Sequence, residues 1–254
     1  MDIEDFNRKI YADVYTVDQV SINKNTDAKE YFNKLVAARL AYLRSHCRNK
    51  EVLDIGCGSG DYLIQIKDII TSGYGIDYTD KAIDAANAKI MGMPSLKLKF
   101  MKANARHLPF EDGVFDLVFS FSALAYMPAL EEIIKEITRV LKADGMAILE
   151  IGNLNSLNTL VCEAYPEYAK TCHIKLSNLK KILKIARLRM VEGRVFGILP
   201  FWGKRPSWLK FLLHERWKEF FQHEIKGKML DEWVSSLPIL RNFAFRHLIV
   251  CQKI

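Results

Sequence analysis

The chain has few cysteines, and their arrangement does not suit a metal or disulfide framework. Its 254 residues include five, an odd number without a Cys-x-x-Cys pair: Cys47, Cys57, Cys162, Cys172 and Cys251. This pattern argues against both disulfide bonding and a zinc cluster. We therefore expect no metal site and interpret the cysteines as small buried side chains.

Long apolar runs are absent as well. No stretch reaches the roughly 18 apolar residues of a membrane span, and the acidic start Met1–Asp5 lacks the basic and apolar segments of a signal peptide. Hydrophobic residues make up 50% of the chain and charged residues 26%, which is enough to build a core. These features predict a cytoplasmic protein with no transmembrane segment. The net charge of +7 permits an anionic partner without requiring one.

The chain shows no internal repeat and no Gly/Ser linker, so we expect few domain boundaries. Residues 1–45 are predicted to form an N-terminal helical cap. Residues 46–254 are predicted to form one domain, with an aromatic and basic insertion at about 196–240.

Helical and extended patterns alternate along the chain. Helices are predicted at 27–46, 61–71, 79–90, 130–141 and 178–187, and strands at 51–55, 73–78, 96–101, 115–120, 146–151, 190–196 and 244–252. Gly145 is expected to end the fourth helix in a left-handed conformation, and Ser177 to cap the fifth. Such alternation predicts a parallel sheet covered by helices on both faces.

A glycine-rich loop follows the first predicted strand. Gly56, Gly58 and Gly60 let the backbone turn sharply and approach a ligand where a β-carbon would collide. This arrangement indicates a nucleotide-type site at the carboxyl end of the strand. A nicotinamide dinucleotide usually requires Gly-x-Gly-x-x-Gly, whereas the third glycine here comes one residue early.

The segment EVLDIGCGSG, Glu51–Gly60, resembles the first motif of the Rossmann-like (class I) S-adenosylmethionine-dependent methyltransferases. Later segments match in the same order, namely Gly75–Tyr78, Asn104–Phe110, Phe115–Ser120 and Arg139–Gly145. The resemblance covers about residues 30–152. It implies an α/β fold with a seven-stranded, mostly parallel sheet, helices on both faces and an antiparallel last strand.

The resemblance also implies S-adenosylmethionine as cofactor, with S-adenosylhomocysteine as product. The residues implied to bind it are Asp54, Gly56, Cys57, Gly58, Gly60, Asp77, Tyr78, Asn104, Ala105, Ser120 and Phe121. Asp77 lies about twenty residues beyond Gly56, the spacing of a carboxylate that accepts from ribose hydroxyls.

Other residues have less direct roles in this interpretation. Asn104 stands where the family usually has Asp, and its amide oxygen can still accept from adenine. Asp54 is interpreted as a brace for the loop, with contact to the methionine amine as the alternative. Ser120 and Phe121 are expected to border the methyl group. Arg39 is interpreted as an exposed helical residue, with contact to the cofactor carboxylate as the alternative.

Tyr126 and His173 are the candidate catalytic residues, because both are expected to lie near the acceptor. For each, ordinary packing is the alternative interpretation. Since a sulfonium methyl is already activated, alignment of the reactants can supply about 7–11 kcal/mol of the barrier, so few fixed side chains are needed. The string Ser120–Ala123 replaces the Asn/Asp-Pro-Pro-Tyr/Phe motif of amino-group methylation, and no Pro-Cys nucleophile for cytosine is present.

The insertion mixes lysine and arginine with tryptophan and phenylalanine. Ser207 can cap a helix in which Trp208, Phe211 and Phe220 share a face. We interpret this helix as a lid packed on the domain. Peripheral membrane contact through 200–221 and an RNA-binding surface are the alternatives, nucleic acid not being favoured.

The sequence thus predicts a methyltransferase that acts by in-line displacement on a small-molecule, lipid or saccharide acceptor, with O-methylation preferred. The alternatives are an RNA or protein methyltransferase and a non-catalytic S-adenosylmethionine-binding module. The oligomeric state is left open.

Overall fold

The computed structural model describes residues 2–14, 29–93, 97–163, 170–200, 209 and 215–254. The strands are β1 Glu51–Ile55, β2 Ser72–Asp77, β3 Leu98–Lys102, β4 Phe115–Ser120, β5 Leu141–Gly152, β6 Leu188–Phe196, β7 Glu224–Ile225, β8 Lys228–Met229 and β9 Arg246–Lys253. The helices are α1 Ile3–Val14, α2 Lys29–His46, α3 Asp61–Ile66, α4 Asp80–Ile90, α5 Leu130–Val140, α6 Leu157–Glu163, α7 Leu176–Ile185, α8 Glu215–Phe221 and α9 Leu230–Ser235.

Seven strands form one sheet in the order β3-β2-β1-β4-β5-β9-β6. Neighbours from β3 to β5 pair in parallel, and β9 runs antiparallel to both β5 and β6. The predicted α/β fold with an antiparallel last strand is confirmed. The strand order reverses between β1 and β4, and ligands of open α/β sheets bind in the crevice at that point, beyond the carboxyl ends of the strands.

Helices cover both faces of the sheet, which explains why its strands read as continuous apolar runs. On one face Leu35 and Leu43 of α2 pack in a cluster with Val52 of β1. On the other face Ile133 and Ile137 of α5 belong to a cluster with Leu53 and Ile55. Burial on both sides makes β1 a rigid support for the loop that follows it.

The first residues of β5 correct one expectation from the sequence. Gly145 does not have a positive φ; the left-handed residue is Asp144, with φ of 58°. Glycine is still required at 145, because a Cβ there would lie 2.9 Å from the carbonyl oxygen of Lys142. The close approach of the Lys142 carbonyl oxygen, and not a left-handed conformation, explains why glycine is required at position 145.

Several element boundaries also differ from those predicted. Helix α3, predicted over 61–71, ends at Ile66. The helix predicted to start after Ser177 begins at Leu176 with Lys175 as its N-cap, so Ser177 lies in the first turn. The segment between β5 and α7, where no helix is predicted, contains α6. No side-chain hydrogen bond caps α7, so a capping residue in the sequence does not mark where this helix begins.

The described part of the insertion is fastened to the core through α9. Asp231 accepts hydrogen bonds from the backbone N–H of Gly197 at 2.7 Å and of Ile198 at 3.1 Å, and from the Tyr31 hydroxyl at 2.8 Å. Arg194 of β6 pairs with Glu232. Of the helix predicted from Ser207, Trp208 and Phe211 lie outside the described residues, and Phe220 lies in α8.

Candidate active site

The glycine loop after β1 depends on backbone conformations that favour glycine. Gly56, Gly58 and Gly60 have φ values of 73°, 53° and 77°. A Cβ at Gly56 would lie 2.3 Å from the Cβ of Ala123, and one at Gly60 would lie 2.5 Å from the Phe100 ring. These contacts leave no room for larger side chains and hold the loop against the end of β4.

Asp77 ends β2 and joins the glycine loop to the next turn. Its Oδ2 accepts a hydrogen bond of 3.0 Å from the Gly58 N–H, and its Oδ1 accepts from the N–H and the hydroxyl of Thr79 at 3.0 and 2.9 Å. The half-buried Tyr78 follows directly. A carboxylate has about four lone-pair positions, so Asp77 keeps capacity for further donors such as hydroxyl groups.

Asp54 lies inside β1, two residues before Gly56. Its side chain is only 2% exposed, and Oδ2 has no hydrogen-bond partner among the described residues. Burial, with the negative charges of Asp77 and Asp61, raises the pKa of this carboxyl well above its usual range. An unpaired buried carboxylate is costly unless a cation or donor completes it, so the site suits a positively charged group.

Cys57 is buried beside Asp54, and its Sγ lies 3.5 Å from the Gly58 carbonyl oxygen. Burial and the nearby Asp54 and Asp77 carboxylates raise the pKa of the thiol well above its usual value. Since the thiolate is the nucleophile, Cys57 serves as a small packing residue of the loop.

The segment after β3 forms a tight turn at the same edge of the sheet. The Asn104 Oδ1 accepts a hydrogen bond of 2.9 Å from the Arg106 N–H, and Ala105 is buried in the core. The Asp77 carbonyl oxygen accepts from the Ala103 N–H at 3.0 Å. The predicted adenine-reading segment and the predicted ribose carboxylate therefore lie side by side.

The end of β4 forms an inner wall of the site. Ser120 is fully buried, and its hydroxyl donates a 2.8 Å hydrogen bond to the Ile55 carbonyl oxygen, which secures β4 to the end of β1. The buried Phe121 ring lies 5.0 Å from the ring of Tyr62 and 5.2 Å from that of Phe119. Both residues shape the wall through packing.

Tyr126 lies in a short 3-10 turn, Leu124–Tyr126, that contacts the N-terminal helix. Asn7 of α1 donates from Nδ2 to the carbonyl oxygens of Tyr126 at 2.8 Å and of Lys170 at 2.7 Å. Its Oδ1 accepts from the Lys170 N–H at 2.7 Å. The Cys172 N–H donates to the Ala125 carbonyl oxygen at 2.6 Å. One asparagine thus connects α1 to both segments that carry the candidate catalytic residues.

His173 lies over Gly152 at the carboxyl end of β5. A Cβ at Gly152 would lie 2.3 Å from Cδ2 of His173, so only glycine admits the imidazole there. Nδ1 lies 2.7 Å from the Thr159 Oγ1, and Nε2 is buried with no partner in the described part of the chain. Burial and the positive charge of Arg246 lower the pKa of His173 to about 4. The imidazole is therefore neutral at physiological pH.

A buried ion cluster closes the site between β5, β9 and α2. Glu150 accepts hydrogen bonds of 2.7 Å from Nε and Nη2 of Arg39, and it also pairs with Arg246. Arg39 donates further to the Tyr62 hydroxyl at 3.0 Å and to the Ser122 Oγ at 2.7 Å. Burial opposes ionisation, but the two guanidinium groups hold the pKa of Glu150 below its usual value. Arg39 is 5% exposed, so the expectation of an exposed helical arginine is wrong.

Comparison with known proteins identifies this region. A family described as a methyltransferase domain matches residues 53–149, from β1 to β5. Residues 53–149 are a methyltransferase domain.

Two relatives and one solved structure illustrate the similarity. A demethylmenaquinone methyltransferase of Lactobacillus johnsonii is 36% identical over 138 residues, 50% of this chain and 57% of that protein. A sterol 4-C-methyltransferase of Caenorhabditis elegans is 35% identical over 102 residues, 40% of this chain and 30% of that protein. The match thus spans about half the length of the first relative and under a third of the second.

The solved structure is similar along nearly its whole length. It is the magnesium protoporphyrin IX methyltransferase of Synechocystis PCC 6803 with bound S-adenosylhomocysteine. The TM-score is 0.62 at 15% identity, covering 99% of this chain and 98% of that chain. This likeness concerns the fold. The predicted resemblance to methyltransferases is confirmed for residues 53–149, and S-adenosylmethionine stays the predicted cofactor.

The residues of the methyltransferase domain fit this cofactor. The glycine loop forms a cradle that a Cβ would fill, and the orphaned Oδ2 of Asp54 lies beside it. Asp54, Asp77 and Asn104 supply oxygen acceptors along one edge of the sheet. Within the described ranges there is no group of three or more His, Cys, Asp or Glu side chains able to hold a metal ion. No helix that the structure describes is both long and apolar enough to cross a bilayer.

Several residues of the site escape sequence reasoning. Glu150 has a weak signal, since it is a charged residue in the apolar run Met146–Ile151. Ser122 adopts a positive φ of 58°, which no local pattern predicts. Arg246 and Thr159 come from distant parts of the chain, and only the fold brings them to the site.

Proposed function

We propose that this chain transfers a methyl group from S-adenosylmethionine to a small-molecule or lipid acceptor. The observation that carries the proposal is the partnerless buried oxygen of Asp54 beside the glycine cradle. A cofactor ammonium supplies the cation that this carboxylate lacks. Asp77 holds the ribose hydroxyls and Asn104 the adenine, while Gly56, Gly58 and Gly60 line the methionine and ribose portion.

The bound cofactor supplies an activated methyl group, so the protein's task is chiefly to align and enclose. Phe121 and Tyr62 form an apolar wall that excludes water, and the α1 helix, fixed through Asn7, closes the side that faces Tyr126. Alignment of this kind can account for about 7–11 kcal/mol of a barrier. We infer that residues 1–45 act as a cap on the methyltransferase domain.

The acceptor class is inferred from the relatives' names. A menaquinone precursor and a sterol are small molecules, which favours a small-molecule acceptor over RNA or protein. O-methylation is proposed on the basis of the acceptor-side groups described below. Trp217 and Phe220 of α8 are exposed, and they support peripheral membrane contact through the described part of 200–221.

The test is methyl transfer from methyl-labelled S-adenosylmethionine to a defined acceptor panel, read by mass spectrometry. The panel contains a demethylmenaquinol, a sterol, hydroxyaryl acids, total RNA and a protein extract. We expect labelling of a small molecule, and its loss in Asp77→Asn but not in Asp84→Asn, an exposed aspartate of α4. Labelling of RNA or protein alone would contradict the acceptor class, and binding without any transfer would favour a non-catalytic module.

A further inference from the structure

The ion cluster around Glu150 contains more positive than negative charge. Two guanidinium groups, those of Arg39 and Arg246, surround one carboxylate. The next buried carboxylate, Asp231, is already occupied by the Gly197 and Ile198 N–H groups and the Tyr31 hydroxyl. Buried charges are favourable only when paired, and here the two guanidinium groups share the single carboxylate of Glu150.

Arg246 is the guanidinium with unused donors. Nearly all of the Arg39 donors are used, by Glu150, Tyr62 and Ser122. Arg246 uses only Nη1, toward Glu150 and Ser122; its Nε and Nη2 donate to no residue that the structure describes. Its side chain is 13% exposed, and it lies over the Phe245 ring with 4.8 Å from Cζ to the ring centre. A guanidinium with one free edge is suited to a bidentate bond with an anion.

His173 presents a complementary group on the same ring. Its imidazole lies 5.0 Å from the Phe245 ring, which Arg246 also contacts, and it packs on Gly152, the residue that pairs with Arg246 in the sheet. The Thr159 hydroxyl donates its hydrogen to the Asn153 carbonyl oxygen at 2.8 Å, so its oxygen accepts from the Nδ1–H of His173. The proton is thereby assigned to Nδ1, and Nε2 carries a lone pair that needs a donor.

Arg246 lies close to the cofactor loop through Ser122. Ser122, which Arg39 and Arg246 both contact, precedes Ala123, whose Cβ lies 2.3 Å from the Cβ position of Gly56. The strand ends of β4 and β5 and the start of β9 meet here. An acceptor held by Arg246 and His173 is therefore next to the region proposed for the methyl donor.

We propose that Arg246 and His173 bind the methyl acceptor, and that this acceptor carries a hydroxyl group and an anionic oxygen on one small unit. The anionic group, such as a carboxylate, accepts from Nε and Nη2 of Arg246. The neighbouring hydroxyl donates to Nε2 of His173. A hydroxyaryl acid or an α-hydroxy acid has this pattern. The inference rests on the proposed function and specifies the substrate class of the same site.

The test uses the full chain saturated with S-adenosylhomocysteine and titrates it with 2-hydroxybenzoate, benzoate and phenol by calorimetry. We expect 2-hydroxybenzoate to bind more tightly than either fragment, and Arg246→Gln to weaken it by about tenfold or more, as for a charge-assisted contact. Arg189→Gln, which changes an exposed arginine of β6, is the control and is expected to have no effect. Arg246→Lys keeps the charge near Glu150 but lacks the planar guanidinium that can form two parallel hydrogen bonds. It is therefore expected to give an intermediate loss of affinity for 2-hydroxybenzoate.

A second readout does not depend on any Arg246 variant folding. In wild-type protein with assigned histidine resonances, 2-hydroxybenzoate is expected to shift the 15N signal of His173 Nε2, whereas benzoate leaves it unchanged. Absence of both binding and shift overturns the inference.

The other source of an anion is the cofactor's own carboxylate. The contrary result is that Arg246→Gln weakens the binding of S-adenosylhomocysteine tenfold while the affinity for decarboxylated S-adenosylmethionine is unchanged. In that case Arg246 binds the cofactor carboxylate, and the inference is wrong. Failure of wild type to bind S-adenosylhomocysteine contradicts the proposed function itself, which separates the two results.

Discussion

Arg39 of α2 and Glu150 of β5 are joined in the interior by two hydrogen bonds of 2.7 Å. They are separated by 111 positions in the chain. The pair fastens the helix before β1 to the strand that borders the acceptor side. Because Arg246 shares Glu150, a single carboxylate holds three elements at the edge where the cofactor loop lies.

Glu150→Gln is expected to lower the free energy of unfolding by about 3–5 kcal/mol, because two buried guanidinium groups lose their counter-charge. Denaturant unfolding measures the loss. Glu131→Gln, at an exposed position of α5, is the matched control and is expected to stay within about 0.5 kcal/mol of wild type. A loss below about 1 kcal/mol for Glu150→Gln would contradict the role of the pair.

Asp54→Asn is expected to have opposite effects on stability and on binding. Removing a buried charge without a partner should raise the unfolding free energy of the cofactor-free protein by about 1 kcal/mol. Removing the partner of the cofactor ammonium should weaken the binding of S-adenosylhomocysteine by about tenfold or more. Unfolding and calorimetry on the same samples test both. A less stable variant with unchanged affinity would show that Asp54 braces the loop instead.

Gly56→Ala and Gly113→Ala form a matched pair, since both glycines have positive φ, 73° and 68°. At Gly113 an added Cβ meets no atom within 4 Å, so only backbone strain of about 1–2 kcal/mol is expected. At Gly56 the clash with Ala123 adds to that strain and displaces the cofactor loop. We expect Gly56→Ala to lose more stability and to lose S-adenosylhomocysteine binding. Equal losses in the two variants would exclude the packing contact as the reason for Gly56.

The stability of the protein is expected to depend on pH through His173 and His247. Burial, chiefly, lowers the pKa of each to about 4 from a usual 6.5. Both stay neutral in the folded state while the unfolded chain binds protons, so their stabilising contribution is full above pH 6.5. It falls as the pH drops towards 4, by about 1.4 kcal/mol per pH unit for each histidine.

Denaturant unfolding at several values of pH between 6.5 and 4 measures this slope. His173→Gln should remove one histidine's share of it, and His247→Gln should do the same. If His173→Gln leaves the slope at its wild-type value, the pKa of His173 is the same in the folded and the unfolded chain, and its burial as a neutral imidazole is wrong.

Much of the fold could be predicted from the sequence. The boundaries of β1 and β4 agree with prediction because each is an apolar run ended by glycine, serine or acidic residues. Asp77 could be placed at the glycine loop because the spacing of a βαβ unit is set by strand and helix length, and the bond from the Gly58 N–H to Asp77 bears out that proximity.

The acceptor side could not be predicted in the same way. The contact of His173 with Gly152 and the contact of Arg246 with Glu150 join residues far apart in the chain. Neither involves a motif with fixed spacing. Arg39 looked like an exposed helical arginine, because no local pattern reveals that its helix packs against a carboxylate on β5. Gly145 was misread for a similar reason, since its need for glycine comes from the Lys142 carbonyl oxygen and not from its own φ.

The central claim is that the glycine loop and Asp77 bind S-adenosylmethionine, and calorimetric titration of wild type and Asp77→Asn tests it most directly. Asp77 offers charged acceptors to two hydroxyls, so we expect saturable binding of S-adenosylmethionine and S-adenosylhomocysteine by wild type, weakened about ten- to a hundredfold in the variant. Thermal unfolding of both proteins without ligand measures how much stability the variant loses when its bonds from the Gly58 and Thr79 N–H groups are weakened. Absence of binding by wild type, or equal affinity of a folded Asp77→Asn, would contradict the account.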